Sequence, residues 1–305
     1  MNVLQINGLS KRFGKQQVID GLDLTVPEGS VFGFIGRNGS GKTTTMKMVL
    51  GLLAPDAGEI RVCGEKVRFG ETPTNRFIGY LPDVPEFYNY MTASRYLALC
   101  GDILGLTKSD CEQRSRNLLA LVGLEGEKKR IGGYSRGMKQ RLGVAQALLG
   151  APKLLICDEP TSALDPLGRK ELLDILRAIS AETTVLFSTH ILSDVERICD
   201  QVALLNEGKI VASGNLAELK MRHGHDELLV EFASKEETSR FKAYLKKKAP
   251  FMTNKEDGTA LIFESRDVAT VQRTLFEVLA ETEFYPVRLE ILEPNLEKLF
   301  LEVIR

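Results

Sequence analysis

Apolar and polar positions alternate along residues 3–8, where Val3, Gln5 and Asn7 interleave with Leu4, Ile6 and Gly8, and strand character returns over 18–26 with a break at Gly21. A period of two puts alternate side chains on one face, which predicts short edge-type strands in a small antiparallel sheet. The apolar run 31–35 predicts a buried strand, and 44–52 reads as a helix. After a turn at 54–58, strands are expected at 59–62 and 78–81. Three helical patterns follow, at about 93–104, 109–122 and 136–149, with little strand character between them. They interrupt an otherwise alternating order and predict an inserted helical subdomain over about 84–150.

Alternation then resumes, with strands at 153–157 and 184–187, helices at 167–180 and 192–199, and a hairpin of 202–205 and 210–212 around Asn206-Glu207-Gly208-Lys209. Parallel strands separated by helices indicate an α/β, doubly wound sheet whose ligand sits at the carboxyl ends of the strands. Past the polar stretch Met221-Arg222-His223-Gly224-His225 the pattern changes. Strands at 227–232, 251–254, 260–264 and 287–292 with helices at 235–247 and 268–280 give β-α-β-β-α-β, a ferredoxin-like α+β order, and a short helix follows at 295–304. The expected domains are therefore 1–224 and 225–305.

Composition adds bounds. The chain has 305 residues, 43% hydrophobic and 27% charged, with a net charge of -1. This is a globular profile without the basic field that nucleic acid calls for. Five widely spaced cysteines without a C-x-x-C pair fit small core residues of a reducing compartment. The opening Met1-Asn2-Val3-Leu4 does not resemble a signal peptide, and no run approaches 18 apolar residues, so the chain is not expected to span a membrane by itself.

The chemistry concentrates at Gly36-Arg37-Asn38-Gly39-Ser40-Gly41-Lys42-Thr43, which matches G-x-x-x-x-G-K-[ST] between an apolar strand and a helix. Glycines let successive amides close round a phosphate, and the following helix presents its positive end to the same anion. Lys42 would supply a mobile charge for β- and γ-phosphates and the Thr43 hydroxyl would ligate Mg2+. Downstream, the apolar strand ending at Cys157 runs into Asp158-Glu159. Asp158 can hold the Mg2+ shell while Glu159 orients and deprotonates a water. His190, at the end of the strand in Ser188-Thr189-His190, is either a γ-phosphate donor or an ordinary surface histidine. Phe13, in the turn Lys11-Arg12-Phe13-Gly14-Lys15, is either a loop residue or a flat platform for adenine.

These residues, with Tyr134-Ser135-Arg136-Gly137-Met138-Lys139-Gln140-Arg141 and residues 162–165, stand in the order found in ATP-binding cassette ATPases. Over roughly residues 1–220 the chain resembles the separate nucleotide-binding subunit of an ABC transporter. The resemblance implies a P-loop cassette with a parallel core sheet, a small antiparallel sheet and a helical subdomain. It implies ATP and Mg2+ in a head-to-tail dimer, each ATP lying between one copy's P-loop and the other's signature segment, where Ser135 and Gly137 open a helix. Catalysis would rest on Glu159, His190 and Lys42. Nucleotide contacts would come from Phe13, Val18, Gly36, Asn38, Gly39, Ser40, Gly41, Lys42, Thr43 and Thr44, with Asp165 linking the two sites. The metal would be met by Thr43, Asp158 and Asp83.

Two positions depart from the family pattern. The signature usually reads L-S-G-G-Q, and Asp83 stands where a glutamine is usual; its shorter side chain would reach a metal only through water. By the same resemblance, the stretch 84–96 with Phe87, Tyr88, Tyr90 and Met91 would receive helices of a membrane permease, although aromatics so spaced also build cores. The tail 292–302 is similar to that of ATPase subunits from exporters of drugs, antimicrobial peptides and similar compounds, and a permease partner would hold the chain at the cytoplasmic face of the cell membrane. The accessory domain could regulate, dimerise or pack. Two alternatives stay open: a soluble ABC ATPase acting on ribosomes or DNA, disfavoured by the single cassette and the lack of sustained heptads, and a non-hydrolysing interaction subunit, suggested by Asp83 and Arg136.

Overall fold

Two strands at the start of the chain are longer than expected: β1 (Asn2–Phe13) and β2 (Gln16–Pro27) pair antiparallel along most of their lengths. Register shifts keep them paired, because each bulge bends the strand and returns Leu4, Ile6, Leu9, Leu22, Leu24 and Val26 to the buried side. The expected break at Gly21 is such a bulge, with φ 62° and its amide donating to Ser10 Oγ at 2.9 Å. In a computed structural model, residues 1–70, 73–223, 226–265, 267–292 and 296–304 are described. They divide into two compact units, Met1–Leu216 and Ala217–Val303.

In the first unit β3 (Val31–Gly36) leads into α1 (Lys42–Val49), and β4 (Ala57–Val62) and β5 (Glu65–Lys66) complete an outer sheet of order β2-β1-β4-β5. The central sheet adds β6 (Ile78–Leu81), β7 (Leu154–Asp158), β8 (Thr184–Thr189), β9 (Gln201–Asn206) and β10 (Lys209–Asn215). Its order is β10-β9-β3-β8-β7-β6, parallel throughout except for the β9–β10 hairpin. Every residue of β3, β7 and β8 is buried, as strands covered on both faces must be. Phe32 and Phe34 pack with Met46, Met48 and Val49 of α1 and with the outer sheet. Gly33 points the other way, where an added Cβ would lie 3.0 Å from Val195 and 3.1 Å from Cys199.

Between β6 and β7 lie the expected helices, α2 (Ala93–Ile103), α3 (Lys108–Leu121) and α4 (Arg136–Leu148). Each starts where a hydroxyl can accept an otherwise unpaired first-turn amide: Thr92 from Arg95, Thr107 from Asp110 and Ser135 from Met138. After β7 come α5 (Pro166–Ile179) and, between β8 and β9, α6 (Leu192–Ile198).

A helix the sequence reading did not foresee, α7 (Leu216–His223), occupies part of the polar stretch taken as a domain break. The expected boundary at 224 and 225 falls outside the described residues. The second unit contains β11 (Asp226–Glu231), α8 (Lys235–Lys248), β12 (Lys255–Asp257), β13 (Ala260–Ser265), α9 (Val268–Ala280), β14 (Arg288–Leu292) and α10 (Leu296–Ile304). Sheet order β12-β13-β11-β14 with every pair antiparallel is the ferredoxin-like arrangement. Its core gathers Leu228, Val230, Phe232, Phe241, Leu261, Phe263 and Leu275, with ring centroids of Phe232 and Phe241 4.8 Å apart. The strand expected at 251–254 forms instead at Lys255–Asp257. The two-residue turn Gly258-Thr259 sets Asp257 opposite Ala260, so only the residues just before the turn reach the ladder, and Phe251 is left 71% exposed. Among the described residues no helix is long and apolar enough to cross a membrane.

Candidate functional site

Strand order creates the site. β8 lies between β3 and β7, with Ile35 beside Thr189 and Asp158 beside Ser188. The carboxyl ends of the three strands therefore bring the glycine-rich bend, His190 and Asp158-Glu159 to one edge, the place where an open parallel sheet receives its ligand.

The bend itself is made by glycine. Gly41 has φ 110°, and an added Cβ would come 2.4 Å from Ile19 Cδ1 and 3.1 Å from the Val18 carbonyl oxygen. Gly36 has no room either, since its Cβ would fall 2.5 Å from Ser40 Oγ and 2.6 Å from the Leu205 carbonyl oxygen. The Lys42 ammonium, only 5% exposed, donates to the carbonyl oxygens of Gly36 at 2.6 Å and Arg37 at 3.2 Å, folding the bend over its own side chain. Ser40 Oγ is buried with no hydrogen-bond partner. Asn38 and Gly39 lie exposed at the tip, Thr43 is exposed and Thr44 half-buried at the start of α1.

The Thr43 hydroxyl donates to Asp158 Oδ2 at 2.8 Å, and the Ser188 hydroxyl donates to Asp158 Oδ1 at 2.7 Å. Ser188 also receives the Glu159 amide, 3.1 Å from both its hydroxyl and its carbonyl oxygen. This holds Glu159 at φ 48°, a left-handed conformation costly for a residue with a side chain. Glu159 Oε2 is 2.7 Å from His190 Nδ1. Glu159 Oε1 is 3.1 Å from Lys42 Nζ, an ion pair that lies off hydrogen-bond geometry. Nearby, burial first and then the Asp158 and Asp83 charges push the Tyr80 hydroxyl up to about 12.

These features fit a polyphosphate and its magnesium. The cradle admits no Cβ at Gly36 or Gly41, an orphaned hydroxyl lies within it, and a threonine hydroxyl and an aspartate face each other as hard oxygen donors. Among the described residues no cluster of three or more His, Cys, Asp or Glu could hold a metal. A shell completed by phosphate and water does not need one.

The remaining expected residues sit in separate places. Asp83 Oδ1 accepts the Ser162 hydroxyl at 2.7 Å and lies 3.6 Å from the Arg136 guanidinium, while the Gln140 amide donates to the Asp83 carbonyl. The two departures from the family pattern thus meet each other. Ser135 caps α4 with Gly137 in its first turn, and Asp165 caps α5 by accepting the Gly168 amide at 2.9 Å. Phe13 is 50% exposed, with the Lys11 ammonium 5.6 Å from its ring centre.

Sequence reasoning missed Ser188, Ser162 and Gln140. Ser188 carried a signal as a polar residue closing an apolar strand just before His190, while Ser162 and Gln140 lay within the quoted motif segments without a role of their own.

Residues 19–162 match the family model described as ABC transporter. The chain is 47% identical over 221 residues to the "Uncharacterized ABC transporter ATP-binding protein YxlF" of Bacillus subtilis (strain 168), covering 72% of this chain and 73% of that one. It is 34% identical over 309 residues to the "Bacitracin transport ATP-binding protein BcrA" of Enterococcus faecalis, covering 99% and 96% of the two. A solved structure described as an ATP binding subunit of an ABC transporter superposes with a TM-score of 0.65 at 34% identity, over 73% of this chain and 93% of the other.

Proposed function

We propose, from the premise that the chain belongs to the ABC transporter family of ATP-binding subunits and is an ATPase of that family, that it hydrolyses ATP between two head-to-tail copies and drives a separate membrane permease in export. The observation that carries the hydrolytic reading is the Glu159 carboxylate, held by His190 at 2.7 Å through Oε2 and ion-paired with the Lys42 ammonium at 3.1 Å through Oε1. An acceptor so held takes the proton of an attacking water.

Lys42 and the first amides of α1 hold the β- and γ-phosphates. Thr43 and Asp158 would hold Mg2+, which when bound would neutralise phosphate charge. Asp83, engaged with Ser162 and Arg136, would meet that shell only through water. Ser135 and Gly137 offer a hydroxyl and an amide to the nucleotide of a second copy, Asp165 links the two sites, and Phe13 offers a ring face to adenine.

Residues 84–96 are the proposed landing site for the permease. Tyr88 and Tyr90 are 53% and 66% exposed; their ring centroids lie 5.9 Å apart, and Tyr88 in turn leans on the buried Tyr96 of α2 at 6.3 Å. Export of a drug, antimicrobial peptide or similar compound from the cytoplasmic face is supported by a match along nearly the whole chain to a bacitracin transport protein. The test is phosphate release from Mg-ATP by the purified chain, combined with its recovery from detergent-solubilised membranes and identification of the chain that accompanies it. Absence of phosphate release, alone and with the membrane fraction, defeats the reading.

A further inference from the structure

Beside the site lies a buried ionic knot that joins Thr161, just after Asp158-Glu159, to Arg169 and Asp194. The Thr161 hydroxyl donates to Asp194 Oδ2 at 2.6 Å, and Arg169 Nε donates to Asp194 Oδ1 at 2.6 Å. Asp194 is 3% exposed and Thr161 2% exposed. A buried charge pair is weak evidence for stability, because desolvation offsets its attraction, so its use must be sought in the geometry it fixes.

That geometry closes a ring. Thr161 lies two residues after Glu159, and Asp194 lies four after His190. On one side the ring is closed by Glu159 and His190, at 2.7 Å, and on the other by Thr161 and Asp194. Arg169 draws in a third segment, since its amide bonds the carbonyl oxygen of Asp165, the cap of α5. The Arg169 Nη2 is buried without a partner, so the guanidinium is committed to Asp194 through Nε.

We propose that Asp194 is a positioning residue for ATP hydrolysis, whose carboxylate sets the spacing of Glu159 and His190 and ties it to the segment that carries Asp165. The proposal rests on the hydrolytic reading above. Asp194 touches no reacting atom; it acts by holding Thr161 and the start of α6. A general base displaced by about 1 Å loses rate on the order of a hundredfold, so even slight slack in the ring is read as turnover.

The test compares Asp194→Asn with the parent chain in ATP turnover, ATP affinity and melting temperature. In Asp194→Asn, kcat is expected to fall at least about tenfold while KM and nucleotide affinity stay within about threefold, because the phosphate-gripping bend is untouched. A triple variant, Thr161→Val with Arg169→Met and Asp194→Leu, replaces the knot by apolar groups of similar size. It is expected to melt near the parent and to remain slow. A folded Asp194→Asn with kcat within twofold of the parent overturns the proposal, as does a loss confined to KM. Recovery of kcat together with melting temperature in the triple variant also overturns it, since that marks a purely structural role. A parent chain without turnover defeats the hydrolytic reading and takes this inference with it. Parent turnover matched by the variants defeats this inference alone.

Discussion

Lys42 Nζ stands 3.1 Å from Glu159 Oε1, so the cation proposed to grip phosphate and the carboxylate proposed to activate water neutralise each other across the site. Glu159→Gln keeps the size of the side chain and releases the ammonium. Turnover should fall about a hundredfold or more, the worth of a general base, while ATP affinity stays the same or tightens. Phosphate release and nucleotide titration read the two quantities, and weaker binding would contradict the role given to Glu159.

Lys42→Ala acts on the other partner. It removes the phosphate charge and also the contacts to the Gly36 and Arg37 carbonyl oxygens. Hydrogen bonds to charged groups contribute about 1.5–3 kcal/mol each, so ATP affinity should drop by about tenfold or more. Unchanged affinity in an equilibrium titration would remove Lys42 from the phosphate site.

Gly36→Ala tests the cradle through packing. Its new Cβ would meet Ser40 Oγ at 2.5 Å, which can rotate, and the Leu205 carbonyl oxygen at 2.6 Å, which is held in β9. Overpacking of this kind costs about 1–3 kcal/mol, and a unit of this size loses about 2–4 °C of melting temperature per kcal/mol. Calorimetry should show that fall together with lost nucleotide binding.

Asp83 and Arg136 are each nearly half exposed and 3.6 Å apart. Such a pair contributes less than about 1 kcal/mol, so Arg136→Ala should leave the melting temperature almost unchanged. A change in ATP turnover in this variant then reports on the site and not on the fold. A large thermal loss would show that the contact supports the fold after all.

Burial pushes the thiols of Cys157 and Cys199 well up, and both side chains are enclosed, whereas Cys63 is exposed. A thiol reagent at mildly alkaline pH should modify Cys63 first and reach Cys157 and Cys199 only on unfolding. Peptide mapping of the labelled chain gives the order.

Much of this was legible in the sequence because periodicity and glycine placement are local properties. Gly36 through Thr43, the strand ending at Asp158-Glu159 and the β-α-β-β-α-β order of the second unit all follow from spacing within a few residues. Pairing across the fold was not legible. Nothing near Asp83 announces Ser162 or Arg136, and nothing near Asp194 announces Thr161, because these partners meet only after the central sheet sets its strand order. The lengths of β1 and β2 escaped for a related reason, since bulges are decided by the partner strand and not by the alternation of either one.

Glu159 sits at φ 48° under the grip of Ser188, and a side chain in that conformation costs on the order of 1–3 kcal/mol. Glycine or asparagine would occupy the position more comfortably. A screen that rewards heat resistance and ignores activity would therefore select Glu159→Gly or Glu159→Asn, and its winners would be sturdier proteins that no longer turn over ATP.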